Sequence, residues 1–312
     1  MNVNRRKFLA ASAVAASVPG ITTAAAPAEN QNAKSPFRYC LNTSTIREQT
    51  DDIRKQIEIA AAAGYDGIEP WMRHLTKYTE GGGSLTDLRK MIADAGLTVD
   101  SAIGFANWIV DDDEGRKKGL EEAKRDMDVL ASIGGTRLAA PPVGAHRGGE
   151  KLDLFVVADR YRALLEVGDE TGVVPQLEVW GFSTNLSRLG ESVMVCVEAS
   201  HPKACLLPDV YHIFKGGSDF GGLQLLADNA IQVFHMNDYP ASPDRMDMND
   251  SDRVYPGDGV APLTDILNMI GSRGRSVTLS LELFNPTYWK QDALEVAKTG
   301  LAKMKAAVAK TA

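Results

Sequence analysis

Cysteine is scarce in this sequence, and long apolar runs are absent after the first 30 residues. The three cysteines, Cys40, Cys196 and Cys205, are an odd number without C-x-x-C spacing, which argues against a disulfide framework. We expect them in the core, and nothing in the sequence supports a bridge from Cys196 to Cys205. No later run reaches the roughly 20 apolar residues of a membrane helix. The 312 residues, 44% of them hydrophobic, therefore predict a soluble α/β protein of one large domain or two small ones.

Positive charge is scarce too. The formal net charge is −7, and it would be −10 without residues 1–28, which contain three basic and no acidic residues. An acidic chain without clusters of Lys and Arg is a poor match for nucleic acid, whose phosphates attract basic surfaces. We therefore expect no nucleic-acid partner.

The sequence also lacks a glycine motif after its first predicted strand. The segment Leu41-Asn42-Thr43-Ser44-Thr45 contains no glycine, whereas an open, doubly wound nucleotide-binding sheet has a glycine-rich turn at that point. Gly81-Gly82-Gly83 lacks the Gly-Lys-Ser/Thr of a phosphate-binding loop and is interpreted as a flexible loop between strand and helix. The open nucleotide-binding fold is therefore disfavoured.

The first residues have the pattern of an export signal. Asn4-Arg5-Arg6-Lys7-Phe8-Leu9 is followed by an Ala/Val/Ser-rich stretch to Pro19 and by Ala24-Ala25-Ala26. A charged start, a short apolar segment and an A-x-A ending are typical of a secretory signal, and the paired arginines resemble a twin-arginine (Tat) signal. We predict that residues 1–28 are a Tat-type signal peptide and that the protein is periplasmic or extracytoplasmic, with no stable membrane insertion.

Strand-like and helix-like segments alternate through the rest of the chain. Eight strand-helix units without a linker predict a closed parallel (β/α)8 TIM barrel, with residues 36–310 as a single domain. The predicted strands are 37–42, 65–71, 98–103, 136–140, 174–179, 204–209, 231–236 and 277–283. The predicted helices are 51–63, 85–95, 115–133, 152–170, 186–199, 222–229, 262–272 and 292–307.

The last four predicted strands each end in a potential metal ligand: Glu178, Asp209, His235 and Glu282. A carboxylate in an apolar run is costly to bury unless it is paired or bound to a cation, although any single one could belong to an edge strand. Strand ends converge at one face of a barrel, so we predict one mononuclear divalent-metal site. Three carboxylates and an imidazole favour Mn²⁺, Mg²⁺ or Co²⁺ over a thiolate-rich zinc site. Mn²⁺ is the expected ion, and Zn²⁺ is a further alternative.

This ordered set resembles the sugar phosphate isomerase/epimerase family, whose members have a xylose isomerase-like TIM barrel and belong to the AP endonuclease 2 superfamily. The family carries Glu, Asp, His and Glu on its last four strands. It also has Asp-x-x-His, here Asp209-Val210-Tyr211-His212, and His-x-x-Asp, here His235-Met236-Asn237-Asp238. An Arg and a Gly-x-Gly follow, here Arg253 and Gly257-Asp258-Gly259. The resemblance covers roughly residues 37–305.

The resemblance implies proton transfer next to a carbonyl. A divalent ion that chelates a sugar carbonyl and a neighbouring hydroxyl stabilises the ene-diolate that forms when the α-proton leaves. In epimerases of the family, the equivalents of Glu178 and Glu282 are both ligands and the acid/base pair. His212 is expected to donate to a substrate oxygen or, alternatively, to support the site from behind. Arg253 is expected either to neutralise an oxyanion or to pair with an acid such as Asp252.

Other strand ends carry residues that suit a carbohydrate pocket. Sugars stack their C–H faces on aromatic rings and need amide or carboxylate partners for their hydroxyls. For each tryptophan taken alone, a place in the core is the alternative. The further predicted substrate-binding residues are Glu69, Trp71, Asn107, Trp108 and Trp180.

Two departures from the family pattern limit the substrate. Ketohexose 3-epimerases usually have a Glu six residues after the first ligand, where this chain has Thr184. The AP endonucleases need more histidines for three zinc ions than the five that are present. With an export signal, an unphosphorylated sugar is the expected small-molecule partner. We predict a metal-dependent sugar isomerase or epimerase. A lyase or dehydratase acting on a keto-sugar or inosose is one alternative, and a non-catalytic sugar-binding barrel is another. A homo-oligomer is compatible with the family.

Overall fold

The computed structural model describes residues 35–271 and 276–311. The predicted signal peptide, 1–28, lies outside these residues. The strands are β1 Phe37–Asn42, β2 Gly67–Glu69, β3 Thr98–Val99, β4 Arg137–Ala140, β5 Val174–Glu178, β6 Leu206–Leu207, β7 Val233–Met236 and β8 Val277–Leu281. The α-helices are α1 Ile53–Ala63, α2 Met72–Glu80, α3 Leu85–Asp94, α4 Asp113–Ser132, α5 Leu154–Thr171, α6 Leu189–Ala199, α7 Val210–Lys215, α8 Leu263–Gly271 and α9 Ala293–Val308.

All paired strands run parallel and close into a ring. Five strands form one sheet in the order β3-β2-β1-β8-β7, and β4-β5-β6 form a second. Backbone hydrogen bonds join the two sheets. Between β3 and β4, the Ala102 N–H donates to Arg137 O and the Ala139 N–H donates to Ala102 O. Between β6 and β7, the Leu206 N–H donates to Ala230 O. The predicted closed parallel barrel is therefore confirmed, and its strand ends meet at one face.

Side-chain caps and glycines determine where the helices begin and end. The Asp52 carboxylate accepts a hydrogen bond from the Arg54 N–H at the start of α1, and Gly64 ends that helix in a left-handed conformation with φ 89°. Only glycine adopts this conformation without a steric penalty, which is why it ends helices so often. Ser84 caps α3 as predicted, by accepting from the Asp87 N–H. These signals explain why most helix boundaries were predicted well.

The structure differs from the predicted elements near the barrel mouth. Two short helices, α2 and α7, were not predicted because each begins directly after a strand-end residue, Trp71 or Asp209, with no intervening turn signal. Gly81-Gly82-Gly83 accordingly follows α2 rather than β2. The predicted helix at 222–229 is a 3₁₀ segment at Phe220–Leu225 instead. Several strands are also shorter than predicted: β2 and β6 at both ends, β7 at its start and β3 at its end.

The core lies inside the ring and between the ring and the helices. Cys40 and Cys205 are buried, Cys196 is partly buried, and all three are free thiols. Among residues 35–271 and 276–311, no helix combines the length and apolar character needed to span a bilayer.

Candidate metal centre

The four predicted ligands lie together at the C-terminal ends of the strands. His235 Nδ1 is 3.2 Å from Glu282 Oε2, 3.8 Å from Asp209 Oδ2 and 3.9 Å from Glu178 Oε1. One atom from each of Glu178, His235 and Glu282 lies within 4.8 Å of the others. Two ligands of one ion with bonds of about 2.2 Å are at most about 4.4 Å apart, so small side-chain movements would let these groups share a cation.

The charge balance of this cluster favours a divalent cation. The residues Glu69, Glu178, Asp209 and Glu282 are all at most 3% exposed, and Arg253 is 1% exposed. When all four carboxylates are ionised, four buried negative charges face one permanent positive charge. Uncompensated buried charges are very costly, and a divalent ion would offset two of the three excess charges.

Among the four predicted ligands, two buried atoms lack a well-aligned hydrogen bond within the described part of the chain. They are Glu178 Oε2 and His235 Nδ1, although the latter lies 3.2 Å from Glu282 Oε2. Buried polar atoms are nearly always satisfied in folded proteins, and exceptions often mark a site for an ion or ligand. Both atoms belong to the residues predicted to bind metal, so the donor set fits a divalent ion.

The shifted pKa values of Glu178 and His235 also indicate that this cluster needs additional positive charge. Burial raises the pKa of the Glu178 carboxyl to about 8, and the neighbouring Glu282 adds to this rise. Burial would by itself lower the pKa of His235, but Glu282 and Glu69 raise it well above its usual value. Protonated His235 thus supplies the positive charge that the carboxylates lack, and a divalent ion on neutral His235 would supply it instead.

Asp209 is held by groups that orient its carboxylate. Its Oδ2 accepts hydrogen bonds from Asn237 Nδ2 at 2.9 Å and Arg253 Nη1 at 3.0 Å. Its Oδ1 caps α7 by accepting from the His212 N–H at 2.8 Å. The Asp-x-x-His spacing therefore has a local cause, because the first residue is the N-cap of the short helix that carries the second.

Glu69, which was predicted to bind substrate, lies behind His235 and is not among the residues that line the pocket. Its Oε2 accepts hydrogen bonds from Asn42 Nδ2 at 2.8 Å, Ser280 Oγ at 2.6 Å and His235 Nε2 at 3.1 Å. This arrangement fixes the proton on Nε2 and leaves Nδ1 facing the carboxylates. Carboxylate groups behind metal-bound histidines are common and strengthen metal binding. The sequence analysis did not identify Asn42 and Ser280 as parts of the site. Asn42 is the last residue of β1, so its position at a strand end could have indicated it.

Glu69→Gln is expected to weaken divalent-metal binding about 10- to 100-fold. The amide keeps the size of the side chain but removes the charge that holds the His235 N–H. Calorimetric titration of Mn²⁺ or Zn²⁺ into metal-free protein would measure the change. Glu48→Gln is the matched control, because the Glu48 side chain is 55% exposed. Equal dissociation constants for Glu69→Gln and wild type would contradict this role for Glu69.

Arg253 pairs with the acids of the cluster instead of Asp252. Its Nη1 donates to Glu282 Oε2 at 2.8 Å as well as to Asp209, and its Nη2 donates to Asp250. The Asp252 carboxylate instead accepts from the Asn249 N–H at 2.8 Å. Arg253 also lines the pocket, so its predicted contact with a substrate oxyanion stays open.

His212 is buried between two donors. Gly181 N–H lies 3.3 Å from its Nδ1, and Arg253 Nη2 lies 2.9 Å from its Nε2. Burial and then Arg253 lower the pKa of His212 to about 3, so the ring is neutral and can accept at only one nitrogen. The ring borders the pocket, and its predicted donation to a substrate oxygen stays a prediction.

A cavity of about 480 Å³ opens above the cluster. Trp71 and Trp180, both predicted to bind substrate, line it together with Glu178, Glu282 and Arg253. The sequence analysis missed other lining residues, which follow strand ends as aromatic or loop positions: Arg47, Phe105, Phe182, Asn249, Asp250, Ser251 and Phe284. Trp289, which also lines the cavity, donates its indole N–H to Ser44 O at 3.2 Å.

Besides Glu69, two predicted substrate-binding residues do not line this cavity. Trp108 is 1% exposed and lies in the core, where its indole N–H donates to Pro141 O at 2.8 Å and its ring packs on Tyr161. The neighbouring Asn107 is exposed and does not line the cavity. The aromatic residue after β3 that lines the cavity is Phe105. It precedes Asn107 and Trp108, the two residues predicted for this position.

The remaining family motif holds a loop in place. The Asp238 carboxylate accepts hydrogen bonds from the backbone N–H groups of Tyr239, Gly257, Gly259 and Ala261. A side chain at Gly259 would lie 2.2 Å from Tyr239 O, so glycine is required there. The His-x-x-Asp and Gly-x-Gly motifs thus join β7 to the loop that begins after Arg253.

Comparisons with known proteins agree with this geometry. A model of the family described as xylose isomerase-like TIM barrel matches residues 57–307. An inosose isomerase from Bacillus velezensis is 26% identical over 280 residues, which cover 88% of this chain and 98% of that protein. A 3-dehydroshikimate dehydratase from Pseudomonas putida is 24% identical over 249 residues, covering 79% of this chain and 38% of that protein. The solved structure of the IOLI protein with a binding zinc atom shares the fold, with a TM-score of 0.80 at 23% identity over 88% of this chain and 99% of that one.

Proposed function

We propose that this chain, which belongs to the xylose isomerase-like TIM barrel family, is a divalent-metal-dependent isomerase or epimerase of an unphosphorylated keto-sugar or inosose. The observation that carries this proposal is the buried cluster of Glu178, Asp209, His235 and Glu282 at the floor of an open pocket. The inosose isomerase relative supports the reaction class. Glu178, Asp209, His235 and Glu282 would hold the ion, and a bound ion supplies Lewis-acid polarisation of the substrate carbonyl.

Proton transfer would fall to the two glutamates that line the pocket. One carboxylate takes the proton from the carbon next to the carbonyl, and the electron pair of that C–H bond moves toward the carbonyl oxygen. In an epimerisation the other glutamate, protonated, returns a proton to the opposite face of the same carbon. In an isomerisation it returns the proton to the former carbonyl carbon, while the proton of the neighbouring hydroxyl passes to the former carbonyl oxygen, so that the carbonyl moves to the adjacent carbon. No proton is gained or lost overall. Arg253, which donates to Glu282, would hold that carboxylate in place during the transfer.

A dehydratase is the second candidate. The same proton abstraction ends in elimination when a hydroxyl lies one carbon further away, because the developing double bond expels it as water after a glutamate protonates it. The similarity to a 3-dehydroshikimate dehydratase favours this candidate specifically. The residues that would start the reaction are the same in both cases.

Incubation of the Mn²⁺-loaded protein with inososes, keto-sugars and 3-dehydroshikimate, followed by NMR spectroscopy, would test the proposal. Products of the same mass as the substrate support an isomerase or epimerase. Products that have lost one water support the dehydratase. No conversion of any compound in the presence of Mn²⁺, Co²⁺, Mg²⁺ or Zn²⁺ would contradict both candidates.

Metal identity and export form part of the proposal. Mn²⁺ is the ion we propose because carboxylates dominate the donor set, and metal analysis of the purified protein would identify the ion present. Export rests on the basic and apolar pattern of residues 1–28. A fusion to a reporter that folds before transport would appear in the periplasm, and Arg5→Lys with Arg6→Lys would retain it in the cytoplasm.

A further inference from the structure

The pocket mouth carries a continuous series of rings that a single sugar would not need. We name it the aromatic arc and define it as Phe182, Trp180, Phe105, Trp71 and Phe284. We propose that the aromatic arc is a second subsite for an apolar ring joined to the reacting sugar, so that the substrate is a ring-bearing glycoside. This inference rests on the proposed function for the sugar end of the pocket.

Each ring of the aromatic arc contacts the next. Centroid distances are 5.2 Å from Phe182 to Trp180 and 6.4 Å from Trp180 to Phe105. They are 5.0 Å from Phe105 to Trp71 and 6.0 Å from Trp71 to Phe284. Rings at such distances form one apolar surface. The surface borders the cavity above the metal-site residues.

The cavity has both polar and aromatic lining. Glu178, His212, Arg253 and Glu282 are buried beneath it, and the five rings of the aromatic arc make up a third of its lining residues. The other polar lining residues are Arg47, Asn249, Asp250 and Ser251. A sugar has a hydroxyl on most carbons, and each one buried without a partner costs free energy. Five rings are therefore poor partners for one sugar. A cavity of about 480 Å³ is also in the range that holds drug-sized ligands, which leaves room for a second ring.

Arginine side chains already cover part of the arc. The guanidinium carbon of Arg73 lies 4.4 Å from the Trp71 ring centre, and that of Arg47 lies 5.3 Å from it. Arg47 and Arg253 both lie about 5 Å from the Phe284 ring. No cation–π contact involves Phe105 or Trp180 among the described residues. Both rings are partly exposed, and the His146 ring packs edge-on against Trp180 at 5.5 Å, so Phe105 is the ring of the arc that these contacts leave free for a ligand ring.

The Trp180 side of the arc is held rigidly. Trp180 N–H donates to Leu186 O at 3.1 Å, and Ser183 N–H donates to Trp180 O at 2.8 Å, which closes the loop on itself. Leu186, at the end of this loop, has φ 57°, a strained value for a residue with a side chain. Trp71 donates its indole N–H to Asn42 Oδ1 at 3.0 Å. A preorganised surface loses little entropy when a ligand stacks on it.

Binding of two inert ligands would test the inference without any turnover. Phenyl β-D-glucopyranoside and methyl β-D-glucopyranoside differ only in the ring, and quenching of tryptophan fluorescence reports both dissociation constants in the metal-loaded protein. We expect the phenyl glycoside to bind at least about 10-fold more tightly to the wild type. In Phe105→Ala we expect that preference to fall to about 2-fold or less.

Matched variants separate stacking from other effects. Phe105→Tyr keeps a ring and should keep the preference. Phe155→Ala removes a phenylalanine that is 57% exposed on α5 and does not line the cavity, so it should behave as wild type. Circular dichroism and metal affinity of Phe105→Ala should match wild type, which excludes misfolding as the cause.

Three results would overturn the inference: equal affinity of the wild type for both glycosides, no measurable binding of either, or an unchanged preference in Phe105→Ala. The proposed function fails in a different way, through the absence of conversion or metal binding. If the protein prefers the phenyl glycoside but converts no sugar, the subsite inference stands and the proposed function fails. If the protein converts sugars but binds both glycosides equally, the proposed function stands and the subsite inference fails.

Discussion

Replacing Glu282 with Gln is expected to slow proton exchange between substrate and solvent by at least about 10³-fold. The amide cannot take or return a proton, and general acid–base groups typically contribute 10² to 10⁴ in rate. Its loss also removes one candidate ligand and one partner of Arg253. Rates of deuterium incorporation at saturating divalent metal would measure the effect.

Asp209→Asn separates the two roles that Glu282 is proposed to have. Asp209 belongs to the same cluster but is fully buried and does not line the cavity, so it is a candidate ligand without contact to substrate. We expect Asp209→Asn to recover much of its activity as metal is raised, and Glu282→Gln to stay inactive at every concentration. Recovery of Glu282→Gln to wild-type rates would show that Glu282 is not an acid/base group.

Arg253→Met is expected to destabilise the metal-free protein by about 3–5 kcal/mol. Removing one partner of a buried ion pair leaves the other charge uncompensated, and here the carboxylates of Asp209 and Glu282 both lose their partner. Urea unfolding in the presence of a chelator would measure the change in free energy of unfolding. Divalent metal should restore part of the loss, because the ion binds the folded state and offsets the same charges.

Arg54→Met provides the control for this experiment. Its guanidinium is 59% exposed and pairs with Asp52 at the start of α1, so its loss should lower the free energy of unfolding far less than Arg253→Met does. Equal stability of Arg253→Met and Arg54→Met would contradict the view that the cluster carries a large excess of buried negative charge.

The barrel and the four candidate ligands could be predicted from sequence because both depend on local patterns. Alternating apolar strands and capped helices identify the barrel, and a carboxylate or imidazole at the end of an apolar strand is conspicuous. Glu178, Asp209, His235 and Glu282 satisfy this rule and lie together in the structure. The contacts of Asp238 with the Gly257 to Gly259 loop show why two further motifs accompany them.

Other features depend on the path of the chain after each strand, which local patterns do not encode. Glu69 also ends a strand, yet the pairing of β2 with β1 places it behind His235 and outside the residues that line the cavity. Trp108 and Phe105 are both aromatic residues after β3, and only Phe105 reaches the cavity. The helix α7 was missed because its six residues are too few for a helical period to show.

The central proposal is that two glutamates transfer a proton at a site whose residues would hold a divalent ion. Incorporation of deuterium from D₂O into a panel of inososes and keto-sugars, with metal-loaded and metal-stripped protein side by side, tests it most directly. We expect incorporation at the carbon next to the carbonyl with the loaded protein, loss of incorporation after stripping, and recovery when Mn²⁺ is added back. Incorporation that persists unchanged in the stripped protein, or none with any sugar in the loaded protein, would contradict the proposal.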